Sequence, residues 1–274
     1  MEKSLFGLEG KRFIVLGGGL GMGEATCNML ADLGANVAVL DIIAERAERV
    51  SADLIKKQVN SIPVVADVLD DEQLVAAIDR VDREFGPLDG MVTIVGQAFM
   101  GPAVDAPMEV WDTDHRRNLR YIFLASRELA KRLIARDAPG SIACVASVDG
   151  IISSTHHAAY GAAKAGLVHL AKSLSGEWAG HRVRFNVVAP GSIATPRIPT
   201  QDPEKERAGM GLVPMKWRGS IQDVAKALVF FISDLSIYVT GQTLAVDGGY
   251  SVTGPIDYAR FGNMKFAQLD AVKK

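Results

Sequence analysis

Short, almost wholly apolar runs alternate with longer segments of helical periodicity along this chain, and that alternation limits what it can fold into. The runs lie at 13–16, 37–40, 63–66, 91–95, 142–145, 185–188 and 244–246. Between them, segments 24–33, 44–57, 71–85, 113–136, 158–179 and 222–235 place apolar residues at three- and four-residue intervals, the spacing of a helix with one buried stripe. A strand covered on both faces is apolar throughout, whereas a strand with one wet face alternates. The pattern predicts repeated strand–helix–strand units with crossover helices. The expected fold is α/β, a doubly wound parallel sheet of seven strands with helices on both faces.

At 274 residues the chain is long enough for two ordinary domains. No Pro- or Ser-rich linker divides it and no internal repeat is present, so a single domain over 1–274 is expected. Hydrophobic residues at 48% and charged residues at 23% exclude a disordered or low-complexity chain. A net charge of −2 gives no bulk attraction to phosphate backbones, and no nucleic-acid partner is expected. Two cysteines make no disulfide framework, and Cys27 and Cys144 are read as small buried thiols of a cytoplasmic protein. The five histidines are not joined by Cys or Asp at ligand spacing, so no metal site is expected. The N-terminal residues hold no signal-peptide core, the C-terminus holds no lipidation box, and no stretch approaches the ~18 apolar residues of a membrane span. A cytoplasmic location without a membrane partner follows as an expectation.

Leu16-Gly17-Gly18-Gly19-Leu20-Gly21-Met22-Gly23 follows the first apolar run and opens the first helical segment. Its spacing is G-x-x-x-G-x-G rather than the commoner G-x-G-x-x-G. The physics is shared: glycines allow a tight turn and bring backbone N–H groups close to a pyrophosphate at a helix N-terminus. A plain strand-to-helix turn is the bland alternative. Asp41 closes the second run, where a carboxylate accepts ribose hydroxyls and repels a 2′-phosphate. No Arg or Lys lies inside the glycine turn or directly after Asp41, so NAD is expected over NADP. A helix-capping role for Asp41 is compatible with that reading. Asp67-Val68, after the third run, offers a carboxylate either to an adenine amino group or to a helix start.

Tyr160 and Lys164 stand four apart in a helical segment and so share a face. The spacing alone is weak, and Ser147 at the end of the fifth run strengthens it. Taken in order, the glycine turn, Asp41, Asn118, Ser147, Tyr160-x-x-x-Lys164, Asn186-Val-Val-Ala-Pro-Gly191, Thr195-Pro196 and Asp247-Gly248-Gly249 resemble the short-chain dehydrogenase/reductase superfamily from about residue 8 to 250. The resemblance implies a Rossmann-like domain that binds NAD(P) and interconverts alcohols and ketones. It implies a catalytic tetrad of Asn118, Ser147, Tyr160 and Lys164. It also implies cofactor contacts from Gly17, Gly19, Leu20, Gly21, Met22, Gly23, Asp41, Asp67, Val68, Val95, Gly96, Tyr160, Lys164, Pro190, Gly191, Ile193 and Thr195.

The residue types suit the task. A free phenol titrates near 10, too high for a base at neutral pH. Lys164 and the positive ring of an oxidised nicotinamide are expected to lower it. Tyr160 then takes the hydroxyl proton as hydride leaves the same carbon, and the Ser147 hydroxyl stabilises charge on the substrate oxygen. By resemblance, Asn118 holds a water that relays protons through Lys164. Two positions depart from the family pattern. Leu16 replaces a usual threonine, and Thr93-Ile94-Val95-Gly96 replaces Asn-Asn-Ala-Gly, which removes an asparagine brace from the central sheet.

Two irregular insertions, 101–107 and 194–217, are expected at the carboxyl edge of the sheet. The second resembles a mobile substrate loop. Its charged middle, 202–207, is flanked by Met210, Leu212, Val213, Met215 and Trp217, residues expected either to close an apolar lid or to pack on the domain. With Phe99 and Met100 they point to a hydrophobic secondary alcohol or ketone. His156 and His157 are read as surface or capping residues, with substrate contact as the alternative. Arg116, Arg117 and Arg120 are read as a solvated or subunit-contact face. The resemblance implies a homo-oligomer, a tetramer or dimer, and the 251–274 extension with Phe261, Met264, Phe266 and Leu269 is expected to pack on a neighbouring subunit. The leading function is an NAD-dependent alcohol dehydrogenase or ketone reductase. The alternatives are a dehydratase or epimerase of the same family, and a non-catalytic NAD-binding regulator.

Overall fold

A computed structural model describes residues 5–199, 204 and 210–253 of the chain. Seven strands, β1 (Arg12–Leu16), β2 (Asn36–Asp41), β3 (Ser61–Val65), β4 (Gly90–Thr93), β5 (Gly140–Val145), β6 (Val183–Pro190) and β9 (Thr243–Val246), form one sheet. Its order is β3-β2-β1-β4-β5-β6-β9, and every pairing is parallel. The order turns back between β1 and β4, so the crevice beyond their carboxyl ends is the natural ligand site. A two-stranded ribbon, β7 (Ile193–Ala194) with β8 (Gly219–Ser220), joins the two ends of the second insertion. Two residues per strand are too short to leave a periodic signal.

The helices are α1 (Met22–Asp32), α2 (Ala44–Ile55), α3 (Asp71–Glu84), α4 (Met108–His115), α5 (Tyr121–Ala135), α6 (Ala158–Trp178) and α7 (Ile221–Ile232). Two cores explain why the strands are apolar throughout. Ile14, Leu16, Ala38 and Leu40 pack with α3, α5 and α6, whereas Phe13, Val15, Val37 and Val39 pack with α1, α2 and α7. Successive side chains enter opposite layers, and each fully buried Leu, Ile or Phe contributes roughly 1.5–3 kcal/mol.

The structure moves some boundaries. The third strand begins at Ser61 and tolerates Pro63 because β3 is an edge strand. The segment expected to begin at Thr113 is helical from Met108, directly after Pro107. Met108 and Trp111 are exposed, so that first turn carries no apolar stripe to announce it. Between α4 and α5 the helix widens into a π turn, Arg116–Arg120. Such turns re-aim a side chain, and the one re-aimed here is Asn118. Among the described residues no helix is long and apolar enough to cross a membrane.

Candidate active site

The glycine turn leaves β1 at its carboxyl end. Gly17 and Gly18 donate to the Leu40 carbonyl at 2.8 and 2.9 Å. Gly17 has φ +88, and a Cβ there would lie 2.9 Å from the Val95 side chain. At Gly23 a Cβ would lie 1.9 Å from the Gly17 oxygen, so only glycine lets α1 pack this closely. Gly21 caps α1 without any side-chain hydrogen bond. The first-turn N–H groups, with Leu20 and Met22 beside them, are thus free for an outside anion. Pro196 Cδ lies 3.6 Å from where a Gly21 Cβ would stand, which sets the segment after β7 opposite the glycine turn.

Asp41 ends β2 at 8% exposure. Its carboxylate accepts from the N–H groups of Gly19 at 3.2 Å and Ile43 at 3.0 Å. It does not cap α2, since Ile43 holds that position. Sequence reading passed over two arginines of α2 because neither adjoins Asp41. A Cβ at Gly19 would meet Arg46 Cβ at 2.7 Å, and Arg49 donates to the Gly19 oxygen at 3.1 Å. Arg49 is also paired with Glu24 at 2.6 Å. Asp67 accepts from Leu69 N–H, and Asp70, not Asp67, caps α3. Val68 beside it is buried. An open groove of about 760 Å³ borders Asp67 and reaches Arg116 and Arg120.

The arginine cluster is engaged within its own chain. Arg116 donates to the Leu69 oxygen, Arg120 pairs with Asp71, and Arg117 donates to Gln97 Oε1 at 3.0 Å while lying over the Phe99 ring. The three side chains stay at the surface, as a solvated face requires, and add contacts within the chain. They fasten loops at the sheet edge.

The four tetrad positions come from three elements: the π turn, the end of β5 and α6. Asn118, fully buried in the π turn, accepts from Gln97 N–H at 3.2 Å and donates to the oxygens of Gln97 at 2.8 Å and Asp114 at 3.0 Å. Ser147 follows β5, and its hydroxyl oxygen accepts from Asp149 N–H at 3.1 Å. Tyr160 lies on the first turns of α6 beside Ser147. Lys164, one turn on, is 2% exposed and donates to the Val145 oxygen at 2.8 Å. Its Nζ is 5.6 Å from the Tyr160 ring centroid. Gly96 completes the group, because a Cβ there would lie 3.0 Å from Asn118 Oδ1 and 3.3 Å from Lys164 Nζ.

The chain's own groups hold the Tyr160 phenol high. The Tyr160 phenol is pushed up to about 12, first by burial and then by the charges of Asp149 and Asp114, against a lowering interaction with Ser147. Lys164 does not reverse this, since it is bound to Val145 and burial itself pulls its ammonium down to about 8. Asp114, buried one turn before Asn118, was not foreseen as part of the centre; burial raises its carboxyl. Although only four residues before Asn118, an aspartate there belongs to no motif and carries no sequence signal.

Pro190 ends β6, Gly191 donates to Val246, and Ile193 is buried at the start of β7. The Thr195 hydroxyl accepts from Ile198 N–H at 3.2 Å, closing a turn. Asn186 holds Val239 and Gln242 and so fastens β6 to the chain entering β9. Phe99, Met100, Pro102, Val110, Ala158 and Ala159 line a cleft of about 190 Å³ that also touches Asp105 and His156. Of the expected lid, Val213 is buried, whereas Leu212, Met215 and Trp217 are exposed. The loop middle, apart from Glu204, and the aromatic residues of the C-terminal extension lie outside the described residues.

A family model described as enoyl-(acyl carrier protein) reductase matches residues 18–251. The D-threitol dehydrogenase of Mycolicibacterium smegmatis is 33% identical over 90% of this chain and 95% of its own length. The chain belongs to the short-chain dehydrogenase/reductase superfamily. Another member, 3beta-hydroxysteroid dehydrogenase 1 of Eggerthella lenta, is 34% identical over 89% of this chain and 95% of its own. The crystal structure of a short-chain type dehydrogenase/reductase from Mycobacterium marinum matches with a TM-score of 0.83 at 26% identity, covering 90% of this chain and 97% of that one. Membership makes the chain an oxidoreductase of a family that uses nicotinamide cofactors. The uncapped α1 N-terminus and the glycines of the turn that admit no Cβ fit such a group.

Proposed function

We propose that the protein transfers hydride between NAD(H) and a hydrophobic secondary alcohol or ketone, with Tyr160 as general acid/base. The observation that carries this reading is the convergence of Ser147, Tyr160 and Lys164 beside the apolar cleft that includes Ala158 and Ala159. When bound, the nicotinamide accepts or returns the hydride. The chain's residues do the rest. Ser147 Oγ already accepts from Asp149 N–H, so its own proton is available to the substrate oxygen. Tyr160 Oη takes or gives the hydroxyl proton. One Lys164 N–H is spent on Val145; its remaining protons are held at a group titrating near 8, suited to passing them on. Asn118, clamped to Gln97 and Asp114, holds the line between Lys164 and the loop.

Asp41 at the glycine turn supports NAD, and Arg49 is neutralised by Glu24 rather than left for a 2′-phosphate. The cleft's largely apolar lining supports a hydrophobic substrate. We assign the enzyme to the cytoplasm, on its free buried cysteines, and to a homo-oligomer. Tyr160→Phe tests the reading: fold and dinucleotide binding persist while turnover disappears. A variant keeping more than a few per cent of activity contradicts it.

A further inference from the structure

The Ser147 turn and the start of α6 are joined by a cluster that the tetrad does not use. Asp149 lies two residues beyond Ser147, and its side chain is 8% exposed. One carboxylate oxygen meets His157 Nδ1 at 2.6 Å, and the other accepts from Ser154 Oγ at 2.5 Å. His157 is the N-cap residue of α6, and its carbonyl accepts from Gly161 N–H at 2.7 Å. Its ring meets Tyr160 edge to face, with centroids 5.8 Å apart and planes at 72°. The carboxylate favours the tautomer with hydrogen on Nδ1. His157 Nε2 is buried and has no hydrogen-bond partner among the described residues, so Asp149 is what fixes the ring.

We propose that His157, held by Asp149, is a positioning residue that fixes the Tyr160 phenol relative to Ser147. The inference rests on Tyr160 being the proton-transfer group. Two backbone elements carry the reacting oxygens, and the imidazole–carboxylate bond links them beside the Ser147–Tyr160 contact itself. An edge-on aromatic contact constrains ring tilt, and displacement of a reacting atom by about 1 Å can cost ~100-fold in rate. The charged and titratable groups around the pair are Asp149 from the Ser147 turn, Asp114 from α4, and Tyr160 and Lys164 from α6.

His157→Phe, His157→Asn and Asp149→Asn test this beside Tyr160→Phe, by kcat, KM and dinucleotide affinity with circular dichroism as the folding control. His157→Phe is expected to lower kcat about tenfold or more, with dinucleotide affinity within about twofold. His157→Asn, whose amide can still donate to Asp149, recovers part of the loss. The double variant His157→Phe/Asp149→Asn is no worse than the poorer single variant, as required of one unit. Wild-type kcat in a folded His157→Phe protein overturns the proposal, as does a loss confined to KM or additive losses in the double variant. Turnover surviving in Tyr160→Phe instead overturns the reading beneath it.

Discussion

The Tyr121 hydroxyl donates to the Val95 carbonyl oxygen across 2.7 Å. Tyr121 is 1% exposed, one residue past the π turn that aims Asn118. Val95 in turn packs against Gly17. One buried phenol therefore ties the catalytic helix to the strand end that borders the glycine turn. It braces the position where family members read asparagine and this chain reads Thr93-Ile94-Val95. Tyr121→Phe leaves a buried acceptor without its donor, a loss of about 1–3 kcal/mol. Denaturant unfolding checks it, and the variant should also bind dinucleotide more weakly.

Gly96→Ala places a methyl 3.0 Å from Asn118 Oδ1 and 3.3 Å from Lys164 Nζ. Gly96 is exposed, so the fold accommodates the methyl while the site does not. The expected result is an unchanged melting temperature with kcat reduced about tenfold or more. Steady-state kinetics beside a thermal melt separate the two effects.

Lys164 titrates at about 8 in the folded chain against 10.5 when unfolded. The unfolded state therefore binds more protons between those values, and stability rises with pH across that window. Burial of this ammonium costs on the order of 3 kcal/mol below the window, and the cost fades as pH passes through it. Lys164→Met escapes that cost. Its stability relative to wild type should be most favourable near neutral pH and should decline by a similar amount as pH rises through the window. Melts across the pH range measure the crossing.

Asp114 pushes the Tyr160 phenol up, so removing its charge lets the phenol ionise at lower pH. Alcohol oxidation needs the phenolate as base. Asp114→Asn should therefore move the rising limb of the oxidation profile to lower pH, read from kcat against pH. An unmoved or raised limb contradicts the placement of Asp114 beside the proton path.

The strand–helix alternation made the sheet legible because Ile14 and Phe13 enter opposite cores, leaving no polar position in β1 after Arg12 to confuse the pattern. Motif spacing found the glycine turn, Ser147, Tyr160 and Lys164 because close approach and shared helix faces constrain residue type locally. Asp114, Tyr121 and Asp149, and the particular partners of Arg117 and His157, escaped for the opposite reason. Each acts through a partner brought near by folding, as Tyr121 is to Val95, and nothing in local spacing marks such a meeting. The upward shift of Tyr160 was equally hidden, since burial and the charges of Asp149 and Asp114, which outweigh the Ser147 contact, arise only on folding.

Reduced-dinucleotide formation by the pure protein, with NAD and NADP in parallel against a panel of apolar secondary alcohols and with Tyr160→Phe as control, tests the central claim most directly. The account predicts turnover with NAD, best on apolar alcohols and absent from the control. Turnover confined to NADP would contradict the reading of Asp41, and turnover persisting in Tyr160→Phe would contradict the proposed chemistry itself.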